Sequence, residues 1–228
     1  MQIEIVVPTI KTESDYLQGN FGSLMKEVCE HSDILLTVVA NNSRGLCEIM
    51  QEQMNKTTSD ILVFIHDDVE LYDIRLKQKL LKAMQYFDIV GLAGATKQTY
   101  NNEKPSLWHR STDRENLRGF VAHYFENMNN SGPAVTCSSF GKSPSAVAVI
   151  DGLFMAFNVS KCREKQFMFD KDFKFHHYDL KTCYDANKIG LKIGVWPILV
   201  VHHGLGEFET PSWQQSDKIF KYKVLPRQ

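Results

Sequence analysis

Four short segments join acids, histidines and glycines to the ends of apolar runs. The first is Ile61-Leu62-Val63-Phe64-Ile65, which ends in His66-Asp67-Asp68. Two adjacent carboxylates repel each other, so their pairing at a strand end suits a site where a cation neutralises them. A divalent metal held by one or two carboxylates, with phosphate oxygens completing its shell, is the usual arrangement for diphosphate chemistry. Taken alone, solvated loop acids or a helix cap account for the pair equally well. The second segment is Phe175-His176-His177-Tyr178-Asp179, directly before a helical stretch. Asp179 stands where an N-cap is expected, and a carboxylate kept ionised by a helix N-terminus can also accept a proton from a hydroxyl.

The third segment is Val200-Val201-His202-His203-Gly204-Leu205-Gly206. Strand alternation sends His202 and His203 to opposite sides, so at most one of them reaches a metal beside Asp68. In the fourth, Asp151-Gly152 interrupts an apolar strand, which signals either a plain kink or a place where a ligand approaches the backbone.

The elements that position these residues alternate. Ile3 to Thr9 reads as a buried strand, Ser14 to Glu30 as a helix, Ile34 to Ala40 as a strand, Gly45 to Met54 as a helix and Ile61 to Ile65 as a strand. A helix over Ile74 to Phe87 and a strand over Ile89 to Ala93 follow. Such alternation implies right-handed crossovers and a mainly parallel, Rossmann-like sheet with helices on both faces. From Thr96 to Ser145 no clear periodicity appears, and Asn101, Asn102, Pro105, Asn129, Asn130, Gly132, Pro133, Gly141 and Pro144 punctuate the stretch. That pattern predicts functional loops facing an acceptor. Strands return at Ala146 to Phe157 and Ile193 to Val201, around a helix from Leu180 to Lys188.

The chain has 228 residues, 43% of them hydrophobic, which suffices for one α/β domain with a sizeable core. Lys plus Arg number 26 against 27 for Asp plus Glu, with no long run of one sign, which disfavours a nucleic-acid partner. Five dispersed cysteines without a C-x-x-C pair read as reduced thiols of a cytoplasmic protein. No apolar stretch approaches the roughly 18 residues of a membrane span, although peripheral membrane contact stays open.

Taken in order, IEIVVPT, VVANNSRGL, DILVFIHDDVEL, IVGLAGA, VIDGLFMAFN, FHHYDLKTCYDANKIGLKIGV and VVHHGLG resemble the family 2 glycosyltransferases, and within them a bacterial-type subgroup with an H-D-D metal motif. The resemblance spans nearly the whole chain, Thr96 to Ser145 excepted. It implies the GT-A fold, with residues 1–95 as a nucleotide-sugar donor half and 96–228 as an acceptor half. It also implies transfer, with inversion, from a nucleoside-diphosphate sugar (uridine, guanosine or thymidine) to a glycan, lipid-linked or other hydroxyl acceptor, assisted by Mn²⁺ or Mg²⁺.

Residue by residue, Pro8, Thr9, Asn41, Asn42 and Asp67 fall where the family holds the nucleoside. Asp68 matches the main metal ligand, and His66 stands where the first aspartate of D-x-D usually is. His203, in preference to His202, matches the C-terminal metal-binding histidine. Asp179 matches the general base, and Asp151, Gly152, His177 and Tyr178 match the acceptor site. Two rivals are a non-catalytic nucleotide- or sugar-binding module and a metal-dependent hydrolase. A sugar-nucleotide pyrophosphorylase fits less well, because Pro8-Thr9-Ile10-Lys11-Thr12 lacks the glycine-rich loop it would need.

Overall fold

The structure is a computed structural model that describes residues 1–98, 107–128, 132–204 and 206–225. Asn101, Asn102, Pro105, Asn129, Asn130 and Leu205 lie outside the described residues.

β1 (Ile3–Pro8) leads through α1 (Glu13–Gln18) and α2 (Asn20–Ser32) to β2 (Leu35–Val39), and α3 (Leu46–Lys56) joins that strand to β3 (Ile61–Ile65). β4 (Val69–Leu71), α4 (Leu76–Ala83), β5 (Ile89–Gly91), β6 (Ala93–Ala95) and α5 (Trp108–Ser111) follow. β7 (Leu117–Phe125), β8 (Ala134–Gly141), β9 (Ser145–Ala146), β10 (Val149–Ile150) and β11 (Phe154–Asn158) come next. The chain closes with α6 (Val159–Glu164), α7 (Tyr178–Lys188), β12 (Ile193–Val195), β13 (Val200–His202) and α8 (Pro211–Val224).

Two sheets form. The larger runs β2-β1-β3-β11-β5-β12-β9 and the smaller β10-β6-β7-β13-β4, with β8 on β7. β1 is parallel to both β2 and β3, as strand-helix alternation dictates, and β5 is parallel to β12. Between these groups β11 runs antiparallel to β3 and to β5, so the sheet is more mixed than the alternation alone implies. β3 is buried along its whole length, which is why Ile61 to Ile65 is continuously apolar rather than alternating.

Three apolar runs that read as single strands each serve both sheets. Ile89 to Ala93 splits at Leu92 into β5 and β6, Ala146 to Phe157 into β9, β10 and β11, and Ile193 to Val201 into β12 and β13 around Pro197. A backbone that crosses between the two sheets is largely apolar on both sides of the crossing, because both ends face one core. The stretch without periodicity holds a long antiparallel hairpin, β7 with β8, where functional loops are expected from sequence. Thr136, Ser138 and Ser139 give β8 no apolar face, which hides its period. The Ser14 to Glu30 helix is two helices, parted at Gly19. Among the described residues no helix is long and apolar enough to cross a membrane.

Candidate functional site

His66, Asp67 and Asp68 follow β3, and β4 begins at Val69 directly after them. β4 pairs antiparallel with β13 in a register that sets Val69 opposite His202. The His203 N–H donates to the Asp68 carbonyl at 3.0 Å, which locks the two strand ends together. Alternation along β13 then turns His202 toward Asp68 and His203 away from it. His202 Nε2 lies 3.4 Å from Asp68 Oδ1, whereas His203 Nε2 lies 3.3 Å from Glu70 Oε2. The His203 ring also stacks on Tyr124 and meets the edge of Phe21. The expectation that His203 is the histidine beside Asp68 is therefore corrected to His202. Three-residue β4, invisible in a hydrophobic pattern, sets the register that decides between them.

His66, Asp68 and His202 each offer one ligand atom, and the three atoms lie within 4.8 Å of one another. Asp68 Oδ1 is buried with no hydrogen-bond partner. Gly204 closes over the same spot: a Cβ there would sit 2.4 Å from Asp68 Oδ2 and 2.7 Å from His202 Nε2. An orphaned carboxylate oxygen, two imidazoles and a cradle that excludes a side chain fit a divalent cation of the Mn²⁺ type. Burial pushes the Asp68 carboxyl up, but His202 and His66 beside it outweigh that effect and hold it below the usual carboxylate range. Burial also lowers the His66 imidazole from its ordinary value, the direction that favours the neutral form a metal ligand needs.

His66 Nε2 and the Tyr178 hydroxyl are 2.7 Å apart, and that hydroxyl donates to the Gly152 carbonyl at 2.7 Å. Gly152 permits this approach, since a Cβ there would meet the Tyr178 hydroxyl at 2.3 Å. Tyr178 thus spends its polar atom on His66 and on backbone. His177, the N-cap of α7 at φ 59°, is buried between Trp213 and Phe220, with Nε2 3.6 Å from Asp217 Oδ1. Burial drops its imidazole to about 4. Both residues border the large cavity described below, but their polar groups are directed into the protein rather than toward an acceptor.

Asp179 lies in the first turn of α7, two positions past the cap, which is His177 rather than Asp179 as the sequence suggests. Its Oδ1 accepts from the Leu180 N–H at 2.8 Å. Burial first, and then the charge of Asp151, raise its carboxyl to about 7. Asp151 accepts from the Leu153 N–H at 3.0 Å and from Trp108 Nε1 at 3.3 Å.

On the other side of the motif, the Thr9 hydroxyl donates to Asp67 Oδ2 at 2.6 Å, tying the end of β1 to the end of β3. The Asn42 N–H donates to the Thr9 carbonyl and the Asn41 N–H to the Lys11 carbonyl, each at 2.8 Å. The Asn42 side chain folds onto the backbone of Arg44, whose N–H donates to its Oδ1 at 3.0 Å. Asn41, at φ 50°, is exposed. The pair therefore shapes the loop ahead of α3, with Asn41 exposed and Asn42 half-buried.

Two cavities meet at His66 and Asp68. One, of about 110 Å³, is bordered by Pro8, Leu46, Met50, Asp67 and Phe175. The other, of about 660 Å³, is bordered by Asp151, Asp179, His202, Trp108, Phe140 and Phe208. His123 also faces the larger cavity, its ring 5.6 Å from that of His202. Sequence reasoning passed over His123 and Glu207. His123 sits on β7, in the stretch without a legible period, and Glu207 follows the glycines as an ordinary loop acid.

The architecture is a mixed α/β fold of the GT-A type. Drosophila β1,4-galactosyltransferase 7, a mutant solved with manganese, UDP-Gal and xylobiose, superposes with a TM-score of 0.50 at 6% identity, over 86% of this chain and 65% of that one. GalNAc-T7 solved with UDP, GalNAc and Mn²⁺ gives a TM-score of 0.49 at 11% identity, and the match covers 92% of this chain but 45% of that one. Residues 25–223 match the model of a glycosyltransferase like family, and the chain belongs to that family. No curated protein matches it in sequence.

Proposed function

We propose that the chain moves a glycosyl group, with inversion, from a nucleoside-diphosphate sugar to a hydroxyl acceptor. The observation that carries this reading is the junction of the two cavities at His66 and Asp68, with Asp179 in the larger one. In this reading Pro8, Thr9, Asp67 and the Asn41-Asn42 loop hold the nucleoside, and residues 1–95 form the donor half. Residues 96–228 form the acceptor half. Phe140 and Phe208 on the wall of the larger cavity suit a ring-shaped acceptor, and Asp151 and Glu207 can accept from its hydroxyls.

His66, Asp68 and His202 would hold Mn²⁺ or Mg²⁺, which when bound offsets the charge that grows on the leaving diphosphate. Asp179 takes the acceptor proton as the hydroxyl oxygen bonds to the anomeric carbon and the bond to the diphosphate breaks on the opposite side. A carboxyl raised to about 7 is a stronger base than an ordinary aspartate and is still ionised in substantial part near neutrality. The Tyr178 hydroxyl, anchored on the Gly152 carbonyl, holds His66, and His177 caps the turn that carries Asp179. A cytoplasmic location is proposed from the five unpaired cysteines, four of them buried.

Release of nucleoside diphosphate tests the reading, with uridine, guanosine and thymidine diphosphate sugars offered against a panel of glycans, with Mn²⁺ or a chelator. Acceptor-stimulated release that the chelator abolishes is expected. Binding without turnover across the panel would favour the non-catalytic module. Release that no acceptor stimulates would favour the hydrolase.

A further inference from the structure

The Tyr178 hydroxyl has a single proton, and two partners lie at hydrogen-bond distance from its oxygen. The Gly152 carbonyl at 2.7 Å can only accept, so the proton goes there. His66 Nε2, also at 2.7 Å, must then be the donor. Neutral imidazole carries one N–H, so a proton on Nε2 leaves the lone pair on Nδ1.

We propose that Tyr178 is a positioning residue whose hydroxyl fixes the Nε2–H tautomer and the ring orientation of His66, so that His66 offers Nδ1 to a divalent cation held with Asp68 and His202. The inference rests on the metal site of the reading above. It assigns to Tyr178 a use different from the acceptor contact that the resemblance implies.

Three further features support it. Tyr178 opens α7 and is buried there, and α7 packs on β10 and β12, so the residue is held by the core. Gly152 is bare at the one point where a side chain would push the hydroxyl off its acceptor. The His66 backbone N–H donates to the Leu153 carbonyl at 3.1 Å, so both His66 and Tyr178 are registered against the same turn. A ligating histidine whose second nitrogen is held by a fixed partner keeps its tautomer and its aim, and loss of such a partner typically costs about 10- to 100-fold in metal affinity.

The test uses the full chain. ¹⁵N-labelled histidine spectra of the metal-free protein, assigned by loss of one signal set in His66→Gln, are expected to show His66 protonated on Nε2. In Tyr178→Phe that preference is expected to relax, and Mn²⁺ affinity, read by calorimetry, to fall about 10- to 100-fold. In a His66→Gln background, Tyr178→Phe is expected to have no further effect on Mn²⁺ affinity, whereas a merely structural role would lower it again.

A proton on His66 Nδ1 in the wild type would overturn the proposal, and that reading holds even if Tyr178→Phe fails to fold. Unchanged Mn²⁺ affinity in a folded Tyr178→Phe would overturn it too. If the wild type binds no Mn²⁺ at all, the metal reading itself falls and this inference with it, an outcome distinct from loss of the tautomer alone.

Discussion

Replacing Gly204 with alanine adds one methyl group where the candidate cation site is tightest. The new Cβ would lie 2.4 Å from Asp68 Oδ2 and 2.7 Å from His202 Nε2, against an ordinary contact that begins at 3.4 Å. The difference obliges the carboxylate oxygen to retreat by 3.4 − 2.4 = 1.0 Å and the imidazole nitrogen by 3.4 − 2.7 = 0.7 Å, unless the loop moves instead. Metal-ligand distances tolerate about 0.2 Å, so either displacement is several times too large for both ligands to stay in one shell. Gly204 has an ordinary backbone conformation, so the alanine itself adds little strain, and the loop is half-buried rather than core. The expected outcome is a folded protein with a melting temperature close to that of the wild type without metal, and an affinity for Mn²⁺ at least about 10-fold lower. Titration calorimetry with Mn²⁺, with and without UDP, measures it. A folded Gly204→Ala that binds Mn²⁺ as tightly as the wild type would refute the claim that Asp68 and His202 share a cation beneath this glycine.

The other predictions address the base, the histidine pair and the anchoring of α7. Asp179→Asn should lower transfer by about 10²- to 10⁴-fold while nucleotide binding persists, read by single-turnover transfer alongside calorimetry. Because burial and Asp151 raise Asp179 to about 7, transfer should climb as pH rises through that value. Asp151→Asn should move this acid limb to lower pH, and an unmoved limb would exclude the coupling. His202→Ala should abolish Mn²⁺ binding, whereas His203→Ala should leave it within a few-fold, since His203 faces Glu70 and Tyr124. His177 is pushed from its ordinary 6.5 to about 4 by burial, so the unfolded chain binds this proton before the folded one does. Stability should therefore fall as pH drops from about 6.5 to 4, and urea denaturation should show a shallower fall in His177→Gln.

The mixed α/β architecture is legible in the sequence, whereas the pairings that bring the candidate site residues together are not. The parallel core of β1, β2 and β3 is legible because each strand ends in turn residues and a helical period follows. His66, Asp67 and Asp68 are legible because acids at the end of a fully apolar strand are chemically conspicuous. What was hidden depends on pairing between distant segments. The choice between His202 and His203 follows from the register of β13 on β4, and β4 is only Val69-Glu70-Leu71, too short to show a period. The β7-β8 hairpin escaped because Thr136, Ser138 and Ser139 replace an apolar face, and His123 went unnoticed with it. Tyr178 gave no signal of its tie to His66, since 112 positions separate the two and only the fold brings them to 2.7 Å.

The central claim is that the junction of the two cavities binds a nucleotide through a divalent cation at Asp68. Thermal unfolding of the purified protein with and without Mn²⁺, against a panel of nucleoside diphosphates and their sugars, tests it most directly, because a ligand that binds the folded state raises the midpoint. A rise with one nucleotide that requires Mn²⁺ and disappears in Asp68→Ala is expected. A rise that persists without metal or in Asp68→Ala, or no rise anywhere in the panel, would contradict it.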